Sequence, residues 1–212
     1  AGGVALAQSL GMLQQLPWQQ AEPVQRTHLV IEVLRRAYRE RSQLGDPDYT
    51  DNPLESLLDT RYLEQLARSI DPQHATPSSL PLAPARRDDE QATHFSLIDS
   101  EGNAVAATLS INLPFGAAFT VPETGVLLND AMDDFAADLQ DRNAYGLSAS
   151  VANVIAPGKR PLSSLSPTFI EGPDDFAAFG TSGGSRIPST LLLTILQYLD
   201  RQPIASWTSA PR

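Results

Sequence analysis

The 212-residue chain carries a formal charge of −10 and is 42 % apolar, enough for a sizeable core and, by length, for one domain rather than two. The charge argues against nucleic acid or anionic lipid as partners, since both are held by clustered Lys and Arg. No apolar run approaches the roughly 18 residues of a membrane span. There is no cysteine, which excludes disulfides, thiolate nucleophiles and cysteine-type zinc sites, and His28, His74 and His94 are too scattered to suggest a metal site.

Residues 4–16 read as a helix with a glycine pair at its start. Residues 23–42 make a stronger one. There Val30, Val33, Leu34, Ala37 and Tyr38 fall on one apolar stripe, and Arg35, Arg36, Arg39 and Glu40 are assigned to a solvated face. "LGDPDYTDNP" (44–53) is a turn-rich break. Residues 54–70 read as a helical pair that ends before Asp71-Pro72. Residues 71–91 hold Pro72, Pro77, Pro81 and Pro84 among small and charged residues and show no periodicity. They are expected to be an exposed linker, open to cleavage or disorder.

Beyond the linker the apolar period drops from about 3.6 residues to about 2. "THFSLID" (93–99) and "NAVAATLSIN" (103–112) are strands joined by the turn "SEGN". Residues 119–130 add short extended pieces, and 136–153 read as a polar loop. Residues 166–181 form a second hairpin turning at Gly172-Pro173. Residues 183–200 run from a loop into a helix that is apolar nearly all round, hence buried, and a further helix starts close to residue 212. Helices, then strands, then a helix predict an α+β fold with helices packed on sheets.

At "THFSLIDSEGNAVAATLSIN" (93–112) the chain resembles the γ-glutamyltranspeptidase family. The likeness continues through "TGVLLNDAMDDF" (124–135), "NAYGL" (143–147), "GKRPLSSLSP" (158–167) and "GTSGGSRI" (180–187), with "GGVALAQSLGML" (2–13) and "LGDPDYTDNP" upstream. The resemblance implies an N-terminal-nucleophile hydrolase, an αββα sandwich that cuts itself into a large and a small subunit. Residues 1–70 then correspond to the helical end of the large subunit, 71–91 to the processing loop, and 92–212 to most of the small subunit. The sandwich is expected to be incomplete at both ends.

In such enzymes the first Thr of the small subunit attacks the peptide bond before it, and its freed α-amine then serves as the local base. The family pattern Thr-Thr-His-Phe/Tyr-Ser reads here Ala92-Thr93-His94-Phe95-Ser96, so Ala92 occupies the nucleophile position. Side chains alternate along a strand, which places Thr93 on the opposite face from Ala92, His94 and Ser96. The chain as written is therefore expected neither to process itself nor to form an acyl-enzyme. Either a natural threonine has been replaced, or the protein is a catalytically silent relative. Ala131, where the resemblance implies Gln or Glu near the substrate amine, is a second departure.

The resemblance assigns further roles. Ser110 matches a hydroxyl residue that orients the nucleophile. Asn112 matches the amine-binding Asn; alternatively it ends its strand by bonding its own backbone. Asp134 matches the carboxylate that pairs with the substrate ammonium, while Asp133 could cap a helix start. Ser163 and Ser164 match the pair that holds the α-carboxylate, or simply form a turn. Gly183 and Gly184 match the oxyanion-hole pair, or form a flexible turn ahead of a Ser185 cap. Tyr145 matches a lid aromatic, or is an ordinary loop tyrosine. His94 reads as structural, since the family's base is the α-amine.

The function implied is γ-glutamyl transfer from, or hydrolysis of, glutathione and related γ-glutamyl amides, with no cofactor or metal. The partners implied are a small γ-glutamyl substrate and the rest of the large subunit, including an Arg expected upstream of residue 1. Family members in bacteria are often exported, so a periplasmic or secreted setting is implied. The alternative is a non-catalytic amino-acid or γ-glutamyl binder. A β-lactam acylase of the same architecture fits less well, because the Ser-Ser and Asp-Asp pairs suit a glutamyl head group.

Overall fold

The computed structural model describes residues 1–77, 92–136 and 150–209. Most of the linker (78–91) and Tyr145 lie outside the described residues. Helix α1 (Gly2–Leu13) starts two residues before the predicted position and ends three before the predicted end. It is central: it packs on α2 (Pro23–Arg41), α4 (Thr60–Arg68) and α5 (Ile187–Leu199). Its polar residues Gln8 and Ser9 are fully buried and satisfy backbone acceptors, Gln8 Nε2 donating to the Leu57 carbonyl at 2.8 Å and Ser9 Oγ to the Ala5 carbonyl at 2.7 Å. The short helix α3 (Leu54–Leu57) precedes α4, whose first turn is capped by the Asp59 carboxylate accepting from the Tyr62 N–H.

Pro23 opens α2, a position where its missing N–H costs nothing. The apolar stripe turns inward as its spacing predicts, with Val30, Val33 and Ala37 buried and Leu34 and Tyr38 half-buried. The opposite face departs from the expectation. Arg35 and Arg39 remain partly exposed, but Arg36 and Glu40 are buried. The reason is tertiary. Segment 69–76 and helix α4 cover that face and supply partners. Arg36 donates to Glu32 Oε2 at 2.8 Å, to Ser69 Oγ at 2.8 Å and to the Ser69 carbonyl at 2.8 Å. Glu40 accepts from the Tyr62 hydroxyl at 2.7 Å. Burial by itself raises the Glu32 carboxyl pKa, but hydrogen bonds from Thr76 and Arg36 outweigh it and hold the group below its usual range. Residues 71–77 are exposed as expected, yet Thr76 ties them to Glu32 through its N–H and hydroxyl.

Strands β1 (Ala92–Ile98) and β2 (Ala104–Ser110) form the first hairpin, in a register that pairs Ala92 with Ser110 and Ile98 with Ala104. Asp99 closes the turn by accepting from the N–H groups of Glu101 and Asn103 at 2.9 and 2.8 Å. The strands alternate as predicted: Phe95, Leu97, Val105 and Leu109 are exposed, and Ala92, His94 and Ser96 turn to the other side. Strands β3 (Thr168–Glu171) and β4 (Phe176–Phe179) form the second hairpin, turning at Gly172-Pro173. In 119–130 the extended pieces reduce to one bridge, Thr120 to Leu127. Helix α5 buries Ile187, Leu191, Leu192, Ile195 and Leu196, and α6 (Ile204–Ser209) follows it. The hydrophobic core is therefore mostly interhelical, and Ile170 and Phe179 of the second hairpin pack against it. The described chain is α+β, as expected.

Candidate functional site

The β1–β2 register delivers the first two members of the site. Pairing Ala92 with Ser110 sets both at the same end of the hairpin. The chain then turns at Asn112, which is buried and adopts φ 74°, a left-handed conformation that Asn tolerates better than most residues. Its N–H donates to Ser110 Oγ at 2.9 Å. Asp130 fastens this turn, its carboxylate accepting from the Leu113 N–H at 3.0 Å. Asn112 thus ends its strand and also lines a cavity.

A 3-10 turn, Ala131–Asp134, comes next. Asp130, not Asp133, holds its N-cap position. Asn153 clamps it: its amide donates to the Asp134 carbonyl at 2.6 Å, its carbonyl accepts from the Ala136 N–H at 2.9 Å, and its side-chain oxygen accepts from the Leu162 N–H at 3.0 Å. One buried asparagine therefore joins the Asp134 turn to the segment that carries Ser163 and Ser164.

That segment is held from the other side by the "LGDPDYTDNP" break. Asp46 accepts from Arg160 through Nε at 3.0 Å, Nη2 at 2.6 Å and the backbone N–H at 2.6 Å. Lys159 Nζ donates to the carbonyls of Ala152 and Val154, both at 2.9 Å. The Gly2 N–H donates to the Ser163 carbonyl at 3.3 Å. A Cβ on Gly2 would lie 2.4 Å from the Ser164 carbonyl oxygen, so only glycine lets α1 abut this segment.

The Asp46 carboxyl is held well below the usual carboxylate range, chiefly by the Arg160 guanidinium. A depressed carboxylate stabilises the fold above its unfolded pKa of about 3.9, and that contribution is lost as pH falls through the lower folded value. Asp46→Asn is therefore expected to lower the unfolding midpoint at pH 7. The gap between parent and variant should close below about pH 4. Parallel urea melts at several pH values check this, and a gap independent of pH counts against it.

Gly183 and Gly184 precede α5 at φ 129° and 51°, both in the left-handed region. The N-cap residue of α5 is Arg186, not Ser185. The Tyr38 hydroxyl donates to the Ser185 carbonyl and fixes this loop to α2.

These five stretches enclose a cavity of about 130 Å³. Ala92, Ser110, Asn112, Ala131, Asp134, Ser163, Ser164 and Gly184 all line it, and Gly183 is the residue just outside the lining. Larger grooves, of about 680, 670 and 330 Å³, lie elsewhere and are lined by none of these residues. His94 takes no part in the lining. Its ring bonds Thr108 Oγ1 and Ser96 Oγ, both at 2.9 Å, burial lowers its pKa, and it abuts Gly180 so closely that a Cβ there would lie 2.2 Å from Nδ1. These contacts are those of a packed strand residue, the reading its sequence context suggests.

Four supporting residues escaped the sequence reading: Arg41, Asp46, Asn153 and Arg160. Arg41 left a signal, because it continues the apolar stripe four residues beyond Ala37 and so puts a cation on the buried face of α2. Asn153 left none; its role needs three segments in place. Among the described residues no cluster of His, Asp and Glu is placed to hold a metal, and no helix is long and apolar enough to cross a membrane.

Comparison with known proteins bears on the identity of the site. The profile of the family described as gamma-glutamyltranspeptidase matches residues 1–212. A glutathione hydrolase proenzyme of Pseudomonas sp. (strain A14) is 42 % identical over 206 residues, covering 94 % of this chain and 36 % of the relative. The crystal structure of a threonine-to-alanine mutant of the Helicobacter pylori gamma-glutamyltranspeptidase is 43 % identical, with a TM-score of 0.54 over 57 % of this chain and 66 % of that one. The cephalosporin acylase of Bacillus halodurans, 21 % identical, aligns with all of this chain and 36 % of its own at a TM-score of 0.78. That likeness shows the fold, the α+β architecture of the N-terminal-nucleophile hydrolases. The chain spans little more than a third of the length of the curated relatives it matches.

Proposed function

The chain belongs to the γ-glutamyltranspeptidase family, and we propose that the cavity beside Ala92 receives a γ-glutamyl group, as the glutamyl-binding and acylation site of an enzyme that transfers or hydrolyses glutathione and related γ-glutamyl amides. The observation that carries this is the convergence of Ala92, Ser110, Asn112, Asp134, Ser163, Ser164 and Gly184 from separate stretches of chain onto one cavity.

Each group has a chemical task there. The Asp134 carboxylate pairs with the ligand ammonium, a charge-assisted bond, with the Asn112 side chain alongside. The hydroxyls of Ser163 and Ser164 donate to the α-carboxylate. The γ-carbonyl carbon then faces position 92. A threonine hydroxyl at that position attacks it, and the developing oxyanion is met by backbone N–H groups of Gly183 and Gly184. The threonine's freed α-amine takes the hydroxyl proton and, as collapse breaks the amide C–N bond, passes it to the leaving amine; water or an amino acid then attacks the acyl ester. Ala92 has no hydroxyl, so this chain binds without turning over. In this reading residues 1–70 belong to the large subunit, 71–91 to the processing loop and 92–212 to the small subunit, and the remainder of the large subunit completes the pocket.

A second reading, a non-catalytic binder of amino acids or γ-glutamyl compounds, draws on Ala131 in the lining as a further departure from the family pattern. Restoring threonine at position 92 separates the two.

The binding site itself is tested by calorimetry with L-glutamate. Asp134→Asn is expected to weaken binding by roughly 10-fold or more, the worth of a bond to a charged group. Its effect on glutarate, which lacks the amine, should be small. Equal losses on both ligands would remove Asp134 from the ammonium role, and absence of L-glutamate binding in a parent polypeptide that spans the full length of the relatives overturns the site.

A further inference from the structure

Ser164 is bonded by a residue that does not line the cavity, Arg41. It is the last residue of α2 and only 8 % exposed. Its Nη2 donates to Ser164 Oγ at 3.0 Å. Its Nε is buried and meets no acceptor among the described residues. It is a buried cation whose side-chain hydrogen bond among the described residues goes to a hydroxyl, an expensive arrangement for structure alone, since a desolvated charge normally has a full set of partners.

A serine hydroxyl carries one proton and two lone pairs. When a guanidinium N–H occupies a lone pair, the hydroxyl proton has to go elsewhere, and Ser164 also lines the cavity. The Arg41 bond also polarises the hydroxyl, because linked hydrogen bonds strengthen one another. Ser164 thereby becomes a donor that suits an anion. The buried charge adds positive potential beside it, which falls off slowly in a poorly solvated setting. Burial lowers the Arg41 pKa, and the nearby Tyr38 and Asp134 side chains act against that by favouring the charged form.

We propose that Arg41 is a positioning residue that acts through Ser164, turning its hydroxyl proton into the cavity and setting a preference for a ligand carboxylate over a neutral group at that end. The inference rests on the γ-glutamyl reading of the cavity. It assigns to a residue within this chain a part in carboxylate selection that does not depend on direct contact with the ligand.

The test is calorimetric titration of the parent, Arg41→Met, Arg41→Lys, Ser164→Ala and the double variant, each in a polypeptide that spans the full length of the relatives. The probes are L-glutamate and L-glutamic acid α-amide, which differ only at the α-carboxylate. Arg41→Met is expected to weaken L-glutamate by about 10-fold or more and the α-amide by less than about 3-fold. Arg41→Lys should recover part of the loss, and adding Arg41→Met to Ser164→Ala should cost little more, since both act on one bond. If Arg41→Met does not fold, the Arg41→Lys and Ser164→Ala ligand ratios decide. Equal losses on acid and amide, or additive losses in the double variant, overturn the inference while leaving the glutamyl site intact. A parent that binds neither probe overturns the glutamyl reading and this inference together.

Discussion

Ala92→Thr, made in a polypeptide that spans the full length of the relatives, is expected to restore cleavage before position 92 and release of amine from a γ-glutamyl anilide. The expected gain in turnover is on the order of 10⁶-fold, the scale of losing a covalent nucleophile. The geometry supports a single-residue repair. Position 92 already lines the cavity, opposite Ser110 in register, with Asn112, Asp134, Ser163, Ser164 and Gly184 around it. The neighbouring Thr93 cannot serve in its place, because it is exposed on the opposite face of β1, and a one-residue slip would turn Phe95 and Leu97 inward and His94 out. Two bands on a denaturing gel and a chromogenic assay read the result. Cleavage with turnover supports the enzyme reading. An intact chain that still binds L-glutamate supports the binder. Thr93→Ala in the same background should change neither band pattern nor rate; a loss there would mean that the strand uses its other face.

The second large effect concerns stability. Arg36→Met is expected to destabilise the fold by about 3–5 kcal/mol, because it strands the buried Glu32 carboxylate. Glu32 is fully buried, and beyond Arg36 its acceptors are met by Thr76 and, at 3.5 Å, by the half-exposed Arg35. Such a loss is a large share of the about 5–15 kcal/mol that holds a domain together. Replacing both partners, Glu32→Leu with Arg36→Met, should recover most of it, because two matched apolar groups leave no charge buried. Urea unfolding of the parent, single and double variants measures both numbers. A single-variant loss below about 1 kcal/mol would mean that water reaches Glu32 and that the pair behaves as a surface bridge.

The same pair shows where a reading of the sequence runs out. Helices and strands follow from local periodicity, and here that pattern places nearly every element. Helix α2 begins at the Pro23 that its sequence marks and ends one residue short of the predicted end. The first hairpin differs by one residue at most of its ends, and the second turns at Gly172-Pro173. The alternation that puts Ala92 with His94 and Ser96, and Thr93 opposite, is likewise local and needs no tertiary information.

A period reports which residues of a helix share a face. It does not report whether a second segment covers the other face. That is why Arg36 and Glu40, whose spacing assigns them to solvent, are buried beneath segment 69–76 and α4. The candidate site divides in the same way. The motif residues were legible as types in order along the chain. Their convergence depends on contacts between residues far apart in sequence: Asp46 with Arg160, Asn153 with Asp134 and Leu162, and Arg41 with Ser164. The sequence by itself determined the elements, the face that Ala92 occupies and the missing hydroxyl, since each follows from local geometry or residue type. Only the tertiary structure decided which charges are buried and which of them stand beside the site, because burial depends on the segments that cover a face and not on the face alone.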